Sequence, residues 1–153
     1  MRGGGAGDAV RPPERAVRVA LRARGRHHGG AQLYVSQLPG FPDLPGTSNV
    51  YRIAPGQAPT VVASGLTAVT AIAFDHQGRL LAAEYNTGCL LAPPTTPGAL
   101  VRVDLSTGAV TTLPVSGLSQ PTGLAVDARG TVYVADHGNS TGTGEVLRIT
   151  GLG

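Results

Sequence analysis

The stretch GLTAVTAIAFDHQGRLLAAEY at residues 65–85 returns as GLSQPTGLAVDARGTVYVADH at residues 117–137. Seven of the 21 aligned positions are identical, Gly65/Gly117, Asp75/Asp127 and Gly78/Gly130 among them, and Glu84 is answered by Asp136. A phrase repeated at a 52-residue offset narrows the folding problem sharply. The chain must build one small unit more than once and bury each copy against the next. Shorter frames recur as well: LYVSQ (33–37), LLAAE (80–84) and VYVAD (132–136), then VYRI (50–53), LVRV (100–103) and VLRI (146–149).

The apolar runs are short and rich in Val, Leu, Ile, Tyr and Ala, which predicts strands. They are expected at 33–37, 49–53, 60–64, 71–75, 80–84, 99–104, 110–115, 123–127, 131–136 and 145–150. The breaks carry turn chemistry. Asp75-His-Gln-Gly78 and Asp127-Ala-Arg-Gly130 place Asp first and Gly fourth, as a type I turn closed by a left-handed Gly requires. With 23 Gly and 12 Pro in 153 residues, the composition suits a turn-rich β protein better than a helical one. Four short strands in a period of 40–50 residues is the pattern of a propeller blade. The expected fold class is therefore all-β: a partial β-propeller of about two and a half four-stranded blades from a six- or seven-bladed ring. The blade units are 31–64, 65–116 and 117–153.

Residues 1–30 read differently. They hold seven Arg against Asp8 and Glu14, a charge of +5, whereas residues 31–153 carry −2. The segment is read as a disordered or mistranslated Arg/Gly/Ala-rich tail, although Val17, Val19 and Leu21 alternate as a strand would. It lacks Lys and aromatics, so no nucleic-acid partner is expected. No run of 18 apolar residues predicts a membrane span, and no signal peptide is visible, which makes the chain cytoplasmic as written.

PTGLAVDARGTVYVADHGN (121–139) resembles the NHL-type propeller repeat. LYVSQLPGFPDLPGTSNVYRI, LLAPPTTPGALVRV and GTGEVLRI extend the likeness, which then covers about Leu33–Ile149. Together with residues 65–85 they are similar to the C-terminal part of ScyD/ScyE family proteins. These are secreted or periplasmic β-propellers, some of them actinobacterial. The resemblance implies an extracellular or periplasmic parent with no established catalytic residues. LPGFP and GTGEVLRI are its more specific parts.

Candidate chemistry is sparse. Asp75 and Asp127 suit hairpin turns. Glu84 and Asp136 are expected to form cross-strand ion pairs with Arg102 and Arg148, with Gln37 and Arg52 as the neutral copy. Loops on a propeller rim carry function, and the rim candidates are Phe41, Tyr85, Asn86, Asp136, His137 and Asn139, with Phe41 and Tyr85 exposed. The unknown ligand there is a small molecule or a protein. Lone Cys89 is read as an inert thiol. No P-loop or H-E-x-x-H pattern is present, and neither a nucleotide enzyme nor a serine hydrolase is expected.

The leading reading is a non-enzymatic binding or scaffold propeller without a cofactor. One alternative is a fragment of a metal-dependent, lactonase-type propeller enzyme, in which Asp136, His137 and Asn139 hold a divalent cation such as calcium. Another is a truncated gene product without function. Exposed blade faces and an unpaired edge at Glu145–Thr150 predict self-association.

Overall fold

Short β-branched and aliphatic runs separated by Gly turns pair best with their sequence neighbours, because a tight turn closes an antiparallel ladder at little entropic cost. The structure, a computed structural model, describes residues 17–23, 32–39, 44–89, 93 and 95–152. Its elements among these are all strands: β1 (Val17–Ala23), β2 (Gln32–Leu38), β3 (Ser48–Ile53), β4 (Thr60–Leu66), β5 (Val69–Phe74), β6 (Leu80–Glu84), β7 (Ala99–Val103), β8 (Val110–Thr112), β9 (Gly123–Val126), β10 (Val132–Asp136) and β11 (Glu145–Ile149). They form three antiparallel sheets in meander order, β1-β2-β3-β4, β5-β6-β7-β8 and β9-β10-β11. The architecture is a partial β-propeller.

One strand departs from expectation. β1 lies inside the segment read as a tail, and it pairs with β2 from Val17↔Leu38 to Ala23↔Gln32. The alternation of Val17, Val19 and Leu21 wins over the Arg-rich composition, because a waiting edge on β2 satisfies its backbone groups. The first blade thus has four strands rather than three. The rest of residues 1–30 lies outside the described residues, as does Phe41.

The middle sheet is sandwiched. All five residues of β6 are buried, so both faces of one strand lie in cores. Leu80 and Ala82 face the first sheet, in a cluster with Tyr34, Val50, Leu66, Ile72 and Val101. Leu81 faces the third, in a cluster with Leu100, Leu113, Leu118, Val132 and Val134. Successive side chains on opposite faces therefore build two different cores.

The repeat makes the interfaces comparable. Tyr34 and Val50 of the first blade correspond to Leu81 and Leu100 of the second and to Tyr133 and Val146 of the third. The first two pairs are buried against the following sheet. In the third, Tyr133 is half-buried and Val146 is 70% exposed. Beside β11 no further strand lies among the described residues.

The turns close as their residues dictate. Gly78 N–H donates to the Asp75 carbonyl at 3.0 Å, and Gly130 N–H does the same to Asp127 at 3.0 Å. Both glycines are left-handed, with φ of 79° and 80°. A Cβ on Gly78 would meet open space, but one on Gly130 would lie 2.5 Å from His76 Nδ1 in the neighbouring blade. Gly78→Val is expected to cost about 1–2 kcal/mol through backbone strain alone. Gly130→Val should cost roughly 1 kcal/mol more, because the His76 ring must swing away. Urea melts of both variants check this; equal costs would remove the contact between blades from the account.

Candidate functional site

In the second and third blades the second strand ends in a buried acid, and the two acids have one task. Glu84 Oε1 accepts the Thr67 backbone N–H at 2.8 Å. Asp136 accepts the Ser119 N–H on both carboxylate oxygens, at 2.9 and 3.1 Å. The sequence separation is 17 in both cases. Each acid thus ties the end of a second strand to the loop that leads into the first strand of the same blade. Ala68 and Gln120, the next residues in those loops, both take left-handed backbone angles, φ 45° and 56°.

The expected ion pairs do not form. Glu84 stands opposite Ala99 and Arg102 opposite Leu81, so acid and guanidinium project from opposite faces of the sheet. The same parity separates Asp136, opposite Glu145, from Arg148, opposite Tyr133. Arg102 instead donates to the Leu152 carbonyl, and Gln37 Oε1 accepts from Asn49 and the Tyr51 hydroxyl.

The acids differ electrostatically by place. Burial pushes the Glu84 carboxyl above the usual range, against the opposing effect of its bond from Thr67 N–H. At the turns the balance reverses. Burial raises Asp75, but the Arg79 amide, the Arg79 guanidinium at 2.6 Å and the Gln77 amide outweigh it, and the net shift is downward. Asp127 is lowered first by the Thr131 amide, and Asp104 first by the Ser106 hydroxyl.

A raised Glu84 means that the native state binds its proton more readily than the unfolded chain does. Stability from this group is therefore fully present below the ordinary glutamate value and falls as pH rises through the higher native one. Glu84→Gln keeps an oxygen for Thr67 N–H and removes the buried charge. We expect its melting temperature to fall less than that of the parent as pH is raised from 4 to 7. A parallel pH dependence would show that Glu84 is not the titrating group. Asp75 has the opposite sign: its contribution is present above the ordinary aspartate value and is lost as pH falls through its lowered native one.

The rim candidates separate in the structure. Tyr85 is only 7% exposed and Asn86 2%, so neither presents a surface to a ligand. Tyr85 N–H donates to the Ala68 carbonyl, and Asn86 Oδ1 accepts the Gly88 N–H at 3.1 Å. Asn139 is exposed.

Asp136 and His137 come together with a residue the sequence reading passed over, Glu145. One ligand atom from each lies within 4.8 Å of the others. His137 Nδ1 sits 3.4 Å from Glu145 Oε1 and 3.6 Å from Asp136 Oδ2. That nitrogen is buried and has no hydrogen-bond partner. The signal for Glu145 was present: it opens the strand after Asp136, and hairpin pairing places the two residues opposite each other. His137 holds φ 54°, with its N–H donating to the Ser119 carbonyl at 2.8 Å. The calcium set expected from Asp136, His137 and Asn139 thus becomes Asp136, His137 and Glu145, a nitrogen with two carboxylates.

The same loop spells Gly138-Asn139-Ser140-Thr141-Gly142, the spacing G-x-S-x-G, which the sequence reading also missed. The strand-to-helix elbow that makes such a serine a nucleophile is not built here, since the loop joins β10 to β11. The Ser140 hydroxyl donates to Gln120 Oε1 at 3.3 Å rather than to the imidazole.

No helix among the described residues is long and apolar enough to cross a membrane. No curated protein matches the chain. The family model for the NHL repeat matches residues 118–141, the stretch that runs from the Ser119 clamp through β9 and β10 into the His137 loop.

Proposed function

We propose that this chain is part of an extracytoplasmic, ScyD/ScyE-like β-propeller of the NHL type that acts by binding rather than catalysis. Its loop rim takes a small molecule or a protein. The observation that carries this reading is the third blade's open face. Tyr133 and Val146 occupy the positions that the first two blades bury against a following blade, so the face fits a further blade of the same kind. The rim then gathers the loops between second and third strands of successive blades at one end of the ring, each tied down at its base and free to differ above it.

Size-exclusion chromatography with light scattering tests the reading. The isolated chain should associate, two copies being the smallest number that supplies six blades. Val146→Arg should return it to the monomer. A wild-type monomer that melts cooperatively and never associates would overturn it. Turnover of lactones or esters by the metal-loaded chain would replace binding with hydrolysis.

A further inference from the structure

We infer that Asp136, His137 and Glu145 form a binding site for a divalent transition metal of the zinc class. The inference uses the rim loop of the proposed function but does not depend on ring assembly.

Three observations converge on it. The first is geometric. Four ligands about 2.1 Å from a zinc ion lie about 3.4 Å apart along the edges of a tetrahedron. His137 Nδ1 stands 3.4 and 3.6 Å from one oxygen of each acid. Those separations are too long for good N–H···O hydrogen bonds. The remaining edge, at most 4.8 Å, closes by rotation of the Glu145 side chain, which is 51% exposed.

The second is the unpartnered Nδ1 itself. A buried imidazole nitrogen that lies near two carboxylates and has no hydrogen-bond partner is a polar atom still to be satisfied, as a metal ligand would be. The third is electrostatic. Asp136 and Glu145 are directly opposite each other on paired strands, where like charges destabilise the ladder. A cation between them removes that repulsion. Asp136 is held for the task, since the Ser119 amide fixes both of its oxygens.

The donor set selects the ion. Calcium needs six to eight oxygens, whereas one imidazole nitrogen with two carboxylate oxygens suits zinc and its neighbours. Three protein donors leave a fourth position, and the exposure of His137 and Glu145 opens it to solvent.

The test is calorimetric titration of the chelator-stripped chain with Zn²⁺, alongside Co²⁺ absorption as a coordination probe. We expect one equivalent of Zn²⁺ and an intense visible Co²⁺ band of tetrahedral type. His137→Gly removes the imidazole while accepting the left-handed backbone without strain. It should weaken binding by more than ~100-fold, beyond the usual effect of losing an outer-shell partner. Glu145→Gln provides a second variant on an exposed side chain and should weaken binding by at least ~10-fold. His27→Ala/His28→Ala should change nothing. Absence of Zn²⁺ binding, or binding lost with His27 and His28 but kept in His137→Gly, would overturn the site. Neither result bears on association of the chain, which is read by mass.

Discussion

Replacing Leu81 by alanine is expected to lower the free energy of unfolding by about 3 kcal/mol, whereas Tyr133→Ala should cost roughly 1 kcal/mol or less at low protein concentration. The two positions are the same place in successive blades, 52 residues apart. Leu81 is 1% exposed and lies among Leu100, Leu118, Val132 and Val134. Cutting it back leaves a cavity that two sheets, each fixed by its own ladder, close only in part. Tyr133 on the open face leaves no such cavity. Urea denaturation of both variants gives the comparison. If the proposed association buries that face, the Tyr133→Ala cost should rise with protein concentration while the Leu81→Ala cost holds. Equal costs in the dilute monomer would mean that the third blade is already covered.

Asp136→Ala should be comparably damaging, about 3 kcal/mol, for a different reason. The carboxylate is fully buried and accepts the Ser119 amide on both oxygens. Alanine leaves that amide without a partner and adds a void below it. Asp136→Asn keeps one acceptor oxygen and should cost about 1 kcal/mol. Thermal melts in chelator separate this structural effect from any metal effect. A near-neutral Asp136→Ala would mean that the loop before β9 does not depend on the clamp.

Much of this architecture is legible in the letters, because two local signals suffice for a meander. Apolar runs near five residues long mark the strands, and Asp-x-x-Gly marks the reversals between them. All ten strands expected on that basis appear, with ends shifted by up to three residues. β1 was obscured because the Arg-rich composition around it hides the alternation of Val17, Val19 and Leu21. The Glu84–Arg102 pairing failed on parity, which depends on register and hence on loops of irregular length. Tyr85 and Asn86 look like loop residues and are buried, and burial just past a strand end leaves no local signature in the sequence. Sequence reading found Asp136 and His137 by proximity but passed over Glu145, nine positions beyond Asp136, because only the β10–β11 ladder brings it near.

The meander order has a genetic consequence. Every sheet hydrogen bond in the ladders joins strands that are neighbours in the chain, and blades meet through side-chain packing and a few loop hydrogen bonds such as that from Gly98 N–H to the Leu118 carbonyl. A gene segment encoding one period therefore carries a complete sheet together with a face for each neighbour. Unequal recombination that duplicates such a segment adds a blade without requiring a strand to find a distant partner. One that deletes it joins faces of the same kind. Selection can thus change the number of units before it changes the design of any one of them. The shared pattern of residues 65–85 and 117–137 is the trace that such copying leaves.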